Sequence, residues 1–502
     1  MFDKVLIANR GEIALRIIRT CREMGIESVA VYSDVDRESL HVQAADSGVH
    51  LGPDTPAESY LNIDKIVRAA RDTGAQAVHP GYGFLAESAA FAEACERAGL
   101  VFIGPPAKVL AAVGDKLAAR RIAEKAKVPV TPGTSLPADK KVKVADAAAE
   151  IGFPVMLKAA AGGGGKGMRR VDRAEDLPEA IERAGSEAEA AFADGTLYLE
   201  KCVVDPRHVE VQILADQQGN VVHLFERECS IQRRHQKIIE EAPSAGVDED
   251  LRRRLGEAAV AVARAAGYRN AGTVEFLVDQ EGNFSFMEVN ARIQVEHPVT
   301  EFITGIDLVE QQMRLAAGED LAFSQAEIVR RGHAIECRIY AEDPLAGFMP
   351  SPGRIVELQA PAGPEVRFDC GVESGSAVPV EYDPILAKLV TAGADRQRAI
   401  DRMLRALSET CILGVQTPVE LLHDIVGSEP FRLGKTNTSF LETHFHDWAP
   451  AADRLRNLLL GWLAAEEAGG DPGHRQTGLT TQTVDMSAVD PWQRLGAWRM
   501  ER

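Results

Sequence analysis

Gly272-Thr273-Val274-Glu275-Phe276-Leu277-Val278-Asp279 and Phe284-Ser285-Phe286-Met287-Glu288-Val289-Asn290 flank Gln280-Glu281-Gly282-Asn283. Two runs rich in aromatic and β-branched residues around a glycine-bearing polar turn predict a β-hairpin. Centred on Glu281-Gly282, it pairs Gln280 with Asn283 and Asp279 with Phe284. Continued outward, that register sets Glu275 opposite Glu288. Two carboxylates facing each other across strands repel. A divalent cation resolves the repulsion, and Mg²⁺ takes a few carboxylate oxygens together with phosphate oxygens. A solvated acid pair on an exposed sheet face is the other reading, and the hairpin alone leans slightly toward it.

The residues that follow tip the balance. Glu288, Asn290, Arg292, Gln294 and Glu296 alternate with the apolar Val289, Ala291, Ile293 and Val295. Period-two alternation sets the polar five on one strand face. Two acids, an arginine and two amides, with no Lys, Ser or Thr, make a site more than a surface. The strand is expected to run on until His297-Pro298 ends it, with His297 as a structural cap.

Upstream, Ala161-Gly162-Gly163-Gly164-Gly165-Lys166-Gly167-Met168 follows the apolar strand Pro154–Lys158. Consecutive glycines let the backbone approach a ligand and turn N–H groups toward phosphate oxygens. Arg169-Arg170-Val171 then reads as a strand, and no Ser or Thr follows Gly-Lys, which argues against a P-loop or Rossmann turn. The run is read as a hairpin lid over a nucleotide; a flexible linker is the alternative.

Further out, strand 4–8, helix 11–24, strand 28–33, helix 62–73, strand 76–79, helix 86–98 and strand 100–103 alternate as a doubly wound parallel sheet should. Residues 106–127 form a helical connector, and a small module runs from about 130 to 203. The rest, to about 446, is richer in strands. The expected division is 1–115, an N-terminal α/β domain; 116–204, a lid; 205–446, core and C-terminal domain; and 447–502, a tail. The tail holds one amphipathic helix candidate, 451–466, with Leu455, Leu458, Leu459 and Trp462 as its apolar stripe.

The bulk properties narrow the function. With 56 Lys and Arg against 75 Asp and Glu in 502 residues, the net charge is −19, which disfavours nucleic acid as a partner. No apolar run is long enough to span a membrane. Seven cysteines without CxxC spacing predict reduced thiols and a cytoplasmic location, with no zinc site. A first strand starting almost at Met1 leaves no room for a leader peptide.

Six motifs in order carry a family resemblance: Ala8-Asn9-Arg10-Gly11-Glu12-Ile13-Ala14; His79-Pro80-Gly81-Tyr82-Gly83-Phe84; Lys158 to Met168; Glu226-Arg227-Glu228-Cys229-Ser230 with Gln232 to Lys237; Glu288 to Glu301; and Glu336-Cys337-Arg338. Over about 1–446 the chain resembles biotin carboxylases, the ATP-grasp subunits or domains of acyl-CoA and pyruvate carboxylases. The resemblance implies an α/β ATP-grasp fold with an N-terminal doubly wound parallel sheet, a small lid domain and a mixed-sheet C-terminal domain. It implies that Lys116, Lys158 and Gly162, Gly163, Gly164 and Gly165 hold ATP phosphates. Glu200, Lys201 and Cys202 would line the adenine pocket, with His208, Gln232 and His235 near ribose and base. Glu275, Glu288 and Asn290 would bind Mg²⁺ or Mn²⁺, in agreement with the hairpin register. Lys237, Arg292, Gln294 and the backbone of Val295 would hold bicarbonate. Glu296 would be the base, Arg338 would sit against the ureido oxygen of biotin, and Tyr82 would lie near that pocket. Glu381 and Pro418 depart from the family pattern, at positions where an aromatic and an asparagine are usual.

The chemistry implied is ATP-dependent carboxylation of biotin by bicarbonate, the first half-reaction of an acyl-CoA carboxylase. A pyruvate- or 2-oxo-acid-type carboxylase and a different ATP-grasp ligase are the competing readings. No lysine is flanked by methionines and the last is Lys435. Biotin is therefore expected as a substrate on a separate carrier protein. A carboxyltransferase subunit and a homo-oligomer or hetero-complex are the other expected partners. Asp490-Pro491-Trp492 and Gly496-Ala497-Trp498-Arg499 are similar to the segment that follows the carboxylase domain in long α chains.

Overall fold

The computed structural model describes residues 1–136, 141–159, 168–192, 195–233 and 236–451. The glycine run, His235 and the tail from 452 on, with nearly all of its helix candidate and Trp462, Trp492 and Trp498, lie outside the described residues.

Five parallel strands open the chain: β1 (Lys4–Ile7), β2 (Glu27–Ser33), β3 (Ser47–Gly52), β4 (Ala77–His79) and β5 (Val101–Phe102), in the order β3-β2-β1-β4-β5. The expected βαβ alternation is present, with helices at Gly11–Glu23, Ile63–Asp72 and Ala89–Arg97. The strand absent from the sequence reading is β3, whose Ser-Gly-Val-His-Leu-Gly carries little apolar signal and is mostly exposed at the sheet edge. The connector is two helices, Ala107–Gly114 and Lys116–Lys125, broken at Asp115, whose carboxylate accepts from the Ala118 N–H at 2.6 Å and caps the second.

Two of the motifs meet at the C-terminal edge of this sheet. Asn9 Nδ2 donates to the carbonyls of Pro80 and Tyr82, both at 2.7 Å. Gly81 has φ +63°, and a Cβ there would stand 2.9 Å from Asn9 Nδ2, so glycine is required twice over.

A small antiparallel sheet follows: β6 (Gly133–Leu136), β7 (Val155–Ala159), β8 (Arg169–Val171) and β9 (Leu197–Lys201), ordered β6-β9-β7-β8. β7 pairs with β8, Val155 with Val171 through Leu157 with Arg169, so the strands on either side of the glycine run are antiparallel partners. The helix at Lys116–Lys125 instead packs Ala119 and Ala123 into the core beneath the next sheet.

That sheet has eight strands: β10 (Arg207–Ala215), β11 (Val221–Arg233), β12 (Gln236–Ala242), β13 (Asn270–Val278), β14 (Phe284–Asn290), β15 (His333–Tyr340), β16 (Val366–Cys370) and β17 (Ile385–Gly393). Their order is β14-β13-β10-β11-β12-β15-β17-β16, and every pairing is antiparallel. The expected mixed C-terminal sheet is therefore corrected to an antiparallel one. It is also continuous: β12 pairs with β15, so the hairpin quoted first and the Glu336-Cys337-Arg338 strand belong to one surface. All seven cysteines are free. No helix among the described residues is long and apolar enough to cross a membrane.

Candidate active site

Lys237, on β12, is the hub. Its ammonium donates to Glu210 at 2.6 Å and to Glu275 and Glu296 at 2.8 Å each. Arg338, on β15, donates to Glu240 at 2.6 Å and to Glu296 at 3.0 Å. Arg227 is wholly buried and ties Glu210, at 2.5 Å, to Gln212, Thr273 and Thr300. Burial would raise the carboxyl of Glu296, but Lys237, Arg338 and Arg227 outweigh it and hold that group well below the usual carboxylate range. Glu296 is thus an ionised carboxylate between two cations, with no solvent exposure.

The hairpin end is different. Glu275 does face Glu288, as the sequence predicts, but by a different route. Near the tip the pairs are Val278 with Phe284 and Phe276 with Phe286, one residue off the expected register. A bulge at Met287 then restores Glu275 opposite Glu288. Glu275 has partners: His208 at 2.9 Å, Lys237, and Gln294 at 3.2 Å. Burial raises its carboxyl, and Lys237 and His208 outweigh that and bring it well below the ordinary range. Glu288 has a lysine, Lys116, only at 3.8 Å. Burial, with Glu275 adding to it, raises the Glu288 carboxyl.

The donor set therefore fits a hard divalent cation: two carboxylates with unresolved repulsion and Asn290 two residues on. His208, Glu210 and Glu275 also bring donor atoms within 4.8 Å of one another. There the Lys237 ammonium already bonds Glu210 and Glu275, so that cluster needs no ion.

Past Asn290 the strand stops, which corrects the expected extension to His297. Residues 291–296 are irregular, and His297 begins a helix, His297–Thr304, with Glu296 at its N-cap and Pro298 in its first turn. Proline lacks the N–H that a strand needs and a first helical turn does not. The alternation survives as far as Ile293, which is buried, and Arg292, which donates to Asn290 at 2.9 Å and to Gln294 at 2.5 Å. The turn, not the pleat, aims Glu296. His297 Nδ1 bonds the Gln294 carbonyl at 2.8 Å, a structural role as expected.

On the β7–β9 side, Lys158 reaches Glu200 at 2.6 Å; burial works against its ammonium, and Glu200 outweighs it. Lys201 spends its ammonium on the carbonyls of Gly152 and Phe153, at 2.8 and 2.9 Å. Cys202 is buried, and Gln232 lies against His208 at 3.4 Å. Tyr82 donates to Glu12, whose other oxygen is 3.2 Å from Lys388; Lys388 donates to the Val295 carbonyl at 3.0 Å. Cys229 and Cys337 are wholly buried, and burial pushes both thiols well up, so they are spacers.

Three family models cover the chain: "Biotin carboxylase, N-terminal domain" over residues 1–110, "Carbamoyl-phosphate synthase L chain, ATP binding domain" over 115–324, and "Biotin carboxylase C-terminal domain" over 336–443. Biotin carboxylase 2 of Bacillus subtilis is 51% identical over 444 residues, 88% of this chain and 100% of that one. The chain belongs to the biotin carboxylase family.

Methylcrotonoyl-CoA carboxylase subunit alpha of Rattus norvegicus is 50% identical over 471 residues, 92% of this chain and 66% of that one. The biotin carboxylase domain dimer of Hydrogenobacter thermophilus 2-oxoglutarate carboxylase, solved with MgADP, ADP and bicarbonate, superposes with TM-score 0.87 at 46% identity, covering 89% of this chain and 99% of that one. The chain is accordingly an ATP-dependent ligase with a biotin carboxylase's fold.

Sequence reasoning did not single out four groups that this biotin carboxylase packs into or beside the site. Glu210 joins Arg227 to Lys237, and His208-Val209-Glu210-Val211-Gln212 carried a visible polar–apolar alternation. Glu87 accepts from Arg292 at 3.1 Å and from the Ala291 N–H at 2.9 Å. Glu240 lies in the mixed run Gln236 to Ala242, where Ile238-Ile239 and Glu240-Glu241 come as adjacent like pairs and show no alternation, and Lys388 lies in a mostly apolar strand, where a single charge gives no periodic signal.

Proposed function

We propose that this chain carboxylates biotin with bicarbonate at the expense of MgATP, and that the biotin is carried on a separate protein of an acyl-CoA carboxylase. The supporting observation is the continuous polar track from Glu288 to Arg338: a carboxylate pair at one end, and Glu296 held ionised between Lys237 and Arg338 at the other.

In this reading Lys116, Lys158 and Gly162 to Gly165 hold the ATP phosphates. Glu200, Lys201 and Cys202 border the adenine, with His208, Gln232 and His235 toward the ribose and base. Glu275, Glu288 and Asn290 would hold Mg²⁺ or Mn²⁺, which when bound neutralises charge on the phosphoryl oxygens. Bicarbonate takes the place between Lys237, Arg292, Gln294 and the Val295 backbone. Its oxygens draw Lys237 and Arg338 off Glu296, so the carboxylate that those cations had made a weak base becomes a stronger one. Glu296 accepts the bicarbonate proton, the freed oxygen attacks the γ-phosphorus in line, and ADP leaves. The glycine-run hairpin closes over the product, carboxyphosphate, and keeps water out. Carboxyphosphate breaks into CO₂ and phosphate. Phosphate removes the N1′ proton of biotin, Arg338 holds the negative charge on the ureido oxygen, Tyr82 borders the pocket, and the nitrogen adds to CO₂.

The acyl-CoA assignment draws on the methylcrotonoyl-CoA carboxylase relative, whose likeness covers 92% of this chain against 88% for the Bacillus subtilis enzyme. A 2-oxo-acid-type carboxylase is the second reading, favoured by the Hydrogenobacter thermophilus neighbour. The partners are then a biotin carrier protein, a carboxyltransferase and a second copy of this chain. Co-purify the chain with its partners and supply labelled bicarbonate with acyl-CoAs, pyruvate or 2-oxoglutarate. Label in an acyl-CoA product is expected; label only in an oxo-acid product selects the second reading.

A further inference from the structure

One pair of acids on the eight-stranded sheet is not used by the mechanism above. Glu240 on β12 and Glu336 on β15 are direct cross-strand partners, and both are 0% exposed. Direct partners project from the same face of the sheet, side by side. Glu240 spends one oxygen on Arg338, at 2.6 Å. Its other oxygen and both oxygens of Glu336 have no hydrogen-bond donor among the described residues. Three bare carboxylate oxygens in one fully buried place is a strong anomaly, because buried polar atoms are nearly always satisfied and a buried unpaired charge costs far more than a neutral group.

The charged neighbours do not resolve it. Lys388, across from Arg338 on β17, bonds the Val295 carbonyl at 3.0 Å and stands 3.2 Å from Glu12. Arg338 is divided between Glu240 and Glu296, and Lys237 among three acids. From β16, Asp369 is taken by Arg367 at 2.6 Å. The helix His297–Thr304, packed on β12, β15 and β17, contributes His297, kept neutral by burial and by the nearby cations, and β11 contributes the Cys229 thiol. None of these donates to Glu336.

We propose that Glu336 is held protonated and donates its proton to the free oxygen of Glu240, so that the pair shares one proton and Glu240 stays the anion that aims Arg338. One proton satisfies two of the three bare oxygens at once and removes the repulsion between the acids. The directions agree with one proton resting on Glu336: burial raises both carboxyls, but Arg338 opposes it at Glu240 and leaves that group at about 7, whereas Glu336, with Lys388 opposing and Glu240 adding to the rise, stands well above the ordinary range. Glu336 is a positioning residue. It acts through Glu240 on the guanidinium that the proposed mechanism sets against biotin, and to that extent it rests on that reading; the shared proton does not. When pH rises far enough to remove the proton, two anions face each other and Glu240 is pushed off Arg338. Biotin-dependent turnover then falls on the alkaline side.

The test uses the full chain. Infrared difference spectra of wild type minus Glu336→Gln at neutral pH report the C=O stretch of a protonated buried carboxyl. The band is expected, and its absence overturns the proposal whether or not the chain carboxylates biotin. In kinetics, Glu336→Leu leaves the Glu240 oxygen without a donor and is expected to lower kcat for free-biotin carboxylation by about tenfold, with KM for ATP unmoved. Glu336→Gln, whose amide still donates, recovers most of that loss and removes the alkaline decline attributed to Glu336. If Glu336→Leu does not fold, the glutamine variant decides: a protonated-carboxyl band lost together with the alkaline limb supports the shared proton, and a glutamine variant as impaired as Glu336→Ala contradicts it.

Discussion

The two ends of the site treat their carboxylates in opposite ways. Around Lys237 and Arg338, Glu210, Glu275 and Glu296 each have a cation within hydrogen-bond distance, and the carboxyls of Glu275 and Glu296 sit well below the usual range. At the hairpin, Glu288 faces Glu275 with a lysine no nearer than 3.8 Å, and its carboxyl is raised. The first arrangement has its cations in place, and in the proposed mechanism a substrate opens it by competing for them. The second lacks a close cation, and in the proposed mechanism a divalent ion would supply one. A buried charge without a partner is expensive, and of these carboxylates the one without a close cation stands in the more open place: the Glu288 side chain is 29% exposed and that of Glu296 0%.

That contrast can be broken most severely at the hairpin. Glu288→Gln removes half of the cation pair and the repulsion with it. It should cut kcat for ATP cleavage by about a hundredfold or more, and its thermal unfolding should match wild type. Wild-type ATP cleavage by this variant under limiting Mg²⁺ would break the metal assignment.

The paired end should respond more selectively. Arg338→Ala frees one of the two cations on Glu296 and leaves the hairpin untouched. Carboxybiotin formation should fall by roughly 10- to 100-fold, while bicarbonate-dependent ADP formation falls much less. Equal loss of both would mean that Arg338 serves the phosphoryl step as well.

A smaller effect separates catalytic from structural pairing. Glu241, also on β12, is held by His333 at 2.7 Å and Arg396 at 2.6 Å. Burial raises its carboxyl, but these partners bring it from 4.5 to about 2. A depressed folded value stabilises the fold above the unfolded pKa, and that stabilisation is lost as pH falls from about 4.5 toward 2. It is on the order of 3 kcal/mol. Glu241→Gln should flatten the acid limb of stability in that window, read by urea unfolding at successive pH values. An unchanged acid limb would show that the pair contributes little.

Much of this was legible in the chain, for reasons that differ from place to place. The parallel sheet was readable because its strands and helices alternate in hydrophobic period; β3 was not, because an exposed edge strand with two glycines has no period to show. The Glu275–Glu288 encounter came out right through two offsetting features: a turn one residue longer than expected and a bulge at Met287, neither visible to a pattern of alternating residues. The row to Glu296 was read as one strand face, yet its last member is aimed by a helix N-cap, because Pro298 starts a helix where it was expected only to end a strand. Lys388 left no trace, since one buried charge in a mostly apolar strand looks like any other interruption, and Glu240 left none because Glu240-Glu241 breaks the alternation; each needs its partner strand to be known.

The most direct test of the account is ADP formation by the purified chain, measured with bicarbonate and free biotin added separately and together. The account predicts that ATP cleavage needs bicarbonate, because without it Glu296 has no proton to take and the γ-phosphorus no nucleophile, and that carboxybiotin forms only when biotin is present as well. ATP cleavage at the same rate with neither present would contradict it.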